Sequence, residues 1–141
     1  MDDLAKEVTL FLVDDDDIDA MAVERGFLKQ RISNPVVRAR DGLQALEMLR
    51  SGSIKPPFIV LLDLQMPRMG GLEFLQEIRQ DPELKSSVIF ILTTSGHDED
   101  VLASYNLNIA GYILKENTGE GFLDIINMLQ AYWKVVLLPS G

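Results

Sequence analysis

The sequence predicts an α/β protein built on a doubly wound, five-stranded parallel sheet with strand order 2-1-3-4-5. Three observations carry this expectation. Short apolar runs rich in Val, Ile, Leu and Phe recur along the chain. Segments with helical apolar spacing lie between them, at the pitch of repeated strand–helix units. The runs are too continuously apolar for strands with one wet face, so both faces must be covered, as in a parallel sheet. Right-handed crossovers leave few topologies for five such units, and 2-1-3-4-5 is the commonest at this size.

The elements follow in order. Leu10-Phe11-Leu12-Val13 anchors a strand at 8–13, and Asp16 or Asp17 in the acidic run behind it caps a helix at 17–31. A strand at 36–40 leads through Asp41-Gly42 into a helix at 42–51, where Ala45, Leu46 and Leu49 share a face and Ser51-Gly52 closes it. Lys55-Pro56-Pro57 introduces the strand at 58–63, which ends on Asp63. Leu72, Leu75 and Ile78 mark one face of a helix at 71–80, closed by Asp81-Pro82. Val88-Ile89-Phe90-Ile91-Leu92 makes the strand at 88–93, followed by a helix at 98–106. Gly111-Tyr112-Ile113-Leu114 is the last strand, and Phe122, Ile125, Ile126, Leu129 and Trp133 line a helix at 119–134.

At 141 residues the chain fits one domain, 1–141, able to bury about 70% of its unfolded surface. No linker, repeat or low-complexity tract interrupts it. No apolar stretch approaches the roughly 18–20 residues of a membrane span, and Met1 to Glu7 lacks the pattern of a signal peptide. The absence of cysteine excludes disulfides and thiolate metal sites and fits a cytoplasmic protein. The net charge of −9 argues against nucleic-acid binding, which recruits clustered Lys and Arg. Five acids fall within Asp14 to Asp19, and such a cluster asks for a cation.

In the expected strand order the ends of strands 1 and 3 are neighbours at the switch point where ligands bind. Asp14 and Asp15 follow strand 1, Asp63 ends strand 3, Thr93 ends strand 4 and Lys115 follows strand 5. An aspartyl carboxylate can attack phosphorus to give an acyl phosphate. The loose transition state then needs positioning and charge compensation more than covalent help. Mg²⁺ suits one or two carboxylates plus phosphate and water. An ammonium and a hydroxyl can each take a phosphate oxygen.

The set Val13-Asp14-Asp15, Asp63-Leu64-Gln65-Met66-Pro67 with Gly71, Thr93-Thr94-Ser95 and Tyr112-Ile113-Leu114-Lys115 resembles the receiver domain of two-component response regulators, which have a flavodoxin-like fold. The resemblance covers essentially the whole chain. It implies that Asp63 accepts a phosphoryl group from the phosphohistidine of a sensor histidine kinase or phosphotransfer protein. Asp14, Asp15, Asp63 and the backbone carbonyl of Gln65 would hold Mg²⁺, and Thr93 and Lys115 would contact the phosphate. Tyr112 would turn inward as the Thr93 hydroxyl moves. No external substrate is turned over. A single receiver domain is expected to carry no output domain of its own, so the readout would be dimerisation, partner binding or phosphorelay.

A narrower likeness is to single-domain regulators that partner bacterial phytochromes. It rests on Leu92 to Ser95 with Asp98 to Val101, on Ser104-Tyr105, and on the tail from Tyr132-Trp133 to Leu138-Pro139. In that subgroup the last helix and tail help form a homodimer, so the apolar tail 135–141 is expected to meet a second copy or another partner.

Three departures from the wider family stand out. Glu116 replaces the usual cis-bonded proline after the lysine, so its loop is either trans and repositioned or strained. Gly70 replaces a polar residue, and Asp16 and Asp17 add acidity. His97, the only histidine, reads as a solvated loop residue. Competing readings are a phosphorylation-independent adaptor of receiver shape, supported by Glu116, and an aspartyl phosphatase using Asp14-x-Asp16. A flavin-binding protein is disfavoured, because Asp14 to Asp17 would repel the cofactor's phosphate.

Overall fold

The apolar runs do become strands: β1 (Thr9–Val13), β2 (Val36–Ala39), β3 (Phe58–Leu62), β4 (Val88–Thr93) and β5 (Gly111–Leu114). They form one parallel sheet in the order β2-β1-β3-β4-β5, as the sequence predicts. The computed structural model describes residues 7–139; the last two residues of the expected tail 135–141 lie outside them.

Alternation along the buried strands sorts their side chains into two cores. Phe11, Val13, Val60, Leu62, Ile89 and Ile91 face helices α2 (Gly42–Arg50) and α3 (Gly71–Gln80). Leu10, Leu12, Ile59, Leu61, Phe90 and Leu92 face α1 (Asp17–Lys29) and α5 (Leu123–Val135). The fourth helix, α4 (Asp98–Asn106), lies against β5 and α3. In α3 the fully buried positions are Phe74, Leu75 and Ile78, whereas Leu72 is only partly covered.

Local chemistry sets the helix starts. Asp16, not Asp17, caps α1, accepting the N–H groups of Ile18 at 2.9 Å and Asp19 at 3.1 Å. Asp41 caps α2 through Gln44 N–H at 2.8 Å. The one clear boundary difference is at α5, which begins at Leu123 rather than 119. Two short 3₁₀ turns, Lys115–Asn117 and Glu120–Phe122, occupy the approach. Gly119 and Phe122 hold φ of +74° and +61°, a left-handed geometry that an α-helix cannot run through.

The tail divides. Tyr132 packs edge-on to Phe90 with centroids 5.1 Å apart, and Trp133 lies 6.1 Å from Phe27. Leu138 folds back into the α1–α5 core, while Val135 and Leu137 stand 84% and 97% exposed.

Candidate functional site

Parallel strands all end at the same edge of the sheet, and the strand order sets β1, β3, β4 and β5 to deliver Asp14, Asp63, Thr93 and Lys115 there. Asp14 is nearly fully buried. Its N–H donates to Ala39 O at 3.1 Å and its Oδ1 accepts Asp16 N–H at 2.9 Å. Asp63 is also buried, its N–H donating to Val13 O at 2.9 Å and its Oδ1 accepting Gln65 N–H at 3.2 Å. Asp15 is exposed. One carboxylate oxygen from each of Asp14, Asp15 and Asp63 lies within 4.8 Å of the other two.

Gly71 explains how the loop after Asp63 closes so tightly. A Cβ there would fall 2.5 Å from the Asp63 carbonyl oxygen and 2.7 Å from Leu64 Cα. Only glycine fits. The Gly71 N–H also donates to Leu64 O at 3.0 Å, so the start of α3 braces the turn that presents Asp63.

Lys115 reaches into the acid cluster. Its Nζ lies 3.4 Å from Asp63 Oδ2, 3.2 Å from Asp14 Oδ2 and 2.7 Å from Asp19 Oδ2. Burial opposes its charge, but the Asp19 hydrogen bond and the charges of Asp14 and Asp63 outweigh that and raise its pKa above the ordinary lysine value. Burial pushes Asp14 up to about 6, against the Asp16 N–H and the Lys115 charge, with the Asp63 charge adding to the rise. One ammonium does not compensate these acids. Three clustered carboxylates offering hard oxygen donors therefore fit a divalent cation.

Thr93 is fully buried at the end of β4, and its Oγ1 has no protein hydrogen-bond partner. Tyr112 is half-buried and donates its hydroxyl to Ser95 O at 2.5 Å, bracing the loop between β4 and α4. Ser95 in turn donates from Oγ to Asp100 Oδ2, also at 2.5 Å, and Thr94 donates to Gln65 Oε1 at 3.2 Å. Burial raises the Tyr112 pKa, against the Ser95 hydrogen bond.

The Lys115–Glu116 peptide is trans, since the cis bond among the described residues is Pro56–Pro57. The loop that follows is closed by Thr118 Oγ1 donating to Lys115 O at 2.7 Å, and Glu116 is exposed. His97 is exposed ahead of α4. Asp16 serves as a helix cap, and Asp17 pairs with Arg38 and Arg40 at 2.6 and 2.7 Å. Sequence reasoning missed two residues. Asp19 is the shortest partner of Lys115, and Arg38 donates to the Asp14 carbonyl. Position in the first turn of α1 was the available signal for Asp19; Arg38 offered none.

Comparison with known proteins agrees with this geometry. The response regulator receiver domain family matches residues 10–127. Response regulator Rcp1 of Synechocystis sp. is 32% identical over 137 residues, spanning 94% of this chain and 93% of its own. The crystal structure of the Mn²⁺-bound form of Rcp1 superposes with a TM-score of 0.82 at 32% identity, covering 93% of this chain and 98% of that one. The phosphorylated cyanobacterial phytochrome response regulator RcpA superposes with a TM-score of 0.84 at 31% identity, covering 94% and 98%.

Proposed function

The chain belongs to the response regulator receiver domain family, and from that membership we propose that it is switched by phosphorylation of Asp63. The phosphoryl group comes from a histidine kinase, directly or through a phosphotransfer protein. The observation that carries the reading is the convergence of Asp14, Asp15, Asp63 and Lys115 at one sheet edge, with the Lys115 ammonium 3.4 Å from the Asp63 carboxylate.

In the transfer, an Asp63 carboxylate oxygen forms a bond to phosphorus as the phosphorus–nitrogen bond to the donor's imidazole breaks. Lys115 moves its charge onto a phosphate oxygen, and the Thr93 hydroxyl takes another. The buried Thr93 Oγ1 has no protein acceptor to give up on the way. Asp14, Asp15, Asp63 and the backbone carbonyl of Gln65 would hold Mg²⁺, which supplies charge compensation among acids that otherwise repel. Movement of Thr93 changes what Tyr112 and Ser95 can pack against, and so alters the surface of α4, β5 and α5. A phosphate that binds one arrangement better shifts a pre-existing equilibrium between two.

The relatives named as phytochrome regulators support a phytochrome-type sensor kinase as partner. Exposed Val135 and Leu137 support a homodimer through the tail. Residues 1–141 act as a single receiver domain, turn over no external substrate and work in the cytoplasm, away from nucleic acid and membrane. Among the described residues no helix is long and apolar enough to cross a membrane.

Labelling with acetyl phosphate tests the proposal. Mass spectrometry should find one phosphoryl group on the wild type only with Mg²⁺ present, and none on Asp63→Asn. A wild type that stays unlabelled, with Asp63→Asn binding its partner equally well, would establish the adaptor reading instead.

A further inference from the structure

Arg38 lies on the edge strand β2, yet its side chain is only 17% exposed because its guanidinium turns toward the β1 end of the sheet. Nε and Nη2 both donate to the main-chain carbonyl of Asp14, at 3.0 and 2.9 Å. Nη1 donates to Asp17 Oδ1 at 2.6 Å. Asp17 also accepts Arg40 Nη1 at 2.7 Å, so the carboxylate that orients Arg38 is itself held from two sides. Among the described residues no main-chain N–H reaches the Asp14 carbonyl, which lies just past the end of β1.

That carbonyl belongs to the peptide joining Asp14 to Asp15. Each peptide is planar, and the Asp14 N–H belongs to the preceding one, so fixing that N–H and the Asp14 oxygen orients both peptide planes that meet at the Asp14 Cα, the second of which leads to Asp15. The N–H is already tied to Ala39 O, the last residue of β2. Arg38 ties the oxygen to the same strand. The Asp14 and Asp15 carboxylates take no part in either tie.

We propose that Arg38 is a positioning residue for the divalent-cation site, holding the Asp14–Asp15 peptide so that both carboxylates converge with Asp63. The proposal rests on the metal reading above and extends it to a residue that touches neither ion nor phosphate. Its forked guanidinium is the reason lysine is no substitute: one ammonium cannot take the carbonyl twice and Asp17 as well. Partners that orient first ligands typically change metal affinity about 10–100-fold when removed.

The sign of the effect separates positioning from simple proximity. A guanidinium acting only through its charge repels a cation, so deleting it would tighten Mg²⁺ binding. A guanidinium that only braces the fold would lower the melting temperature and leave affinity alone. Isothermal titration calorimetry of Mg²⁺ into the whole chain, with a metal-free melt of each variant, reads both. Arg38→Ala should weaken binding about tenfold. Arg38→Lys should recover only part of that, and Asp17→Asn should weaken binding about threefold by releasing the guanidinium. Should Arg38→Ala fail to fold, Arg38→Lys and Asp17→Asn carry the decision. Affinities within twofold of wild type, or tighter, overturn the proposal. A wild type that binds no Mg²⁺ overturns the metal reading with it.

Discussion

Thr93 keeps a buried hydroxyl without a protein partner at the end of a strand whose other positions are apolar. Such a group costs about 1–3 kcal/mol in lost hydration. A hydroxyl kept at that cost fits the proposed function, in which a phosphate oxygen is the partner that arrives later. Thr93→Val should therefore stabilise the unphosphorylated protein by about 1 kcal/mol in a denaturant melt. The same variant should label on Asp63 yet fail to change its partner affinity; a less stable Thr93→Val would show that the resting hydroxyl is satisfied. The central residues were legible in sequence for a related reason. Asp14, Asp63, Thr93 and Lys115 each stand at the end of an apolar run, and a parallel topology brings those ends to one edge. Asp19 and Arg38 were not legible. An acid on a helix and an arginine on an edge strand look like any solvated charges until the β1–β2 register and the first turn of α1 aim them inward.

At the scale of elements, α2 is started and steered by one residue. Asp41 accepts Gln44 N–H at 2.8 Å and pairs with Arg68 Nη2 at 2.7 Å, tying α2 to the loop that carries Asp63. Burial works to raise the Asp41 pKa, but the Gln44 and Arg68 hydrogen bonds outweigh it and hold the carboxyl below the ordinary aspartate value. A depressed folded pKa means that this stabilisation is complete above the unfolded value and is lost as pH falls through the folded one. Asn caps as well as Asp, so Asp41→Asn should cost only about 0.5 kcal/mol at pH 7. It should also soften the loss of stability below about pH 4, measured by urea melts across pH. The C-terminal segment divides by residue. Leu138→Ala should cost about 2–3 kcal/mol by emptying part of the α1–α5 core, whereas Leu137→Ala should stay within about 0.5 kcal/mol. Equal effects would contradict the burial pattern. Strands were readable because fully covered strands are written as apolar runs. The start of α5 was not, because nothing in a Phe side chain announces that Phe122 will adopt a left-handed backbone.

Across the whole molecule, acidic charge gathers at one edge of the sheet, and exposed apolar side chains stand at the end of α5. Val135 and Leu137 stand out from the end of α5, so under the proposed homodimer Val135→Asp with Leu137→Asp should shift sedimentation from dimer to monomer, and a wild type that itself sediments as a monomer would overturn that reading. The acids gather where β1 and β3 end. Five of the residues behind the net charge of −9 lie within Asp14 to Asp19, and Asp63 joins them through the sheet. Folding thus drives like charges together at the sheet edge, with Lys115 already shared among Asp14, Asp19 and Asp63. A cation that binds only the folded arrangement returns that free energy. At Mg²⁺ concentrations about 100 times Kd the gain is about 2.7 kcal/mol, or a rise in melting temperature of about 10 °C for a chain of this size. Asp14→Asn removes one buried charge and, in the proposed metal site, one ligand together. Its metal-free melting temperature should exceed that of the wild type, because repulsion with Asp63 is relieved, while its response to Mg²⁺ should all but vanish. The two shifts have opposite sign in one variant, which a general change in stability could not produce. A metal-free Asp14→Asn that melts below the wild type would mean that the carboxylate's bonds to Asp16 N–H and Lys115 outweigh its repulsion, and that the edge is held together by its own residues before any ion arrives.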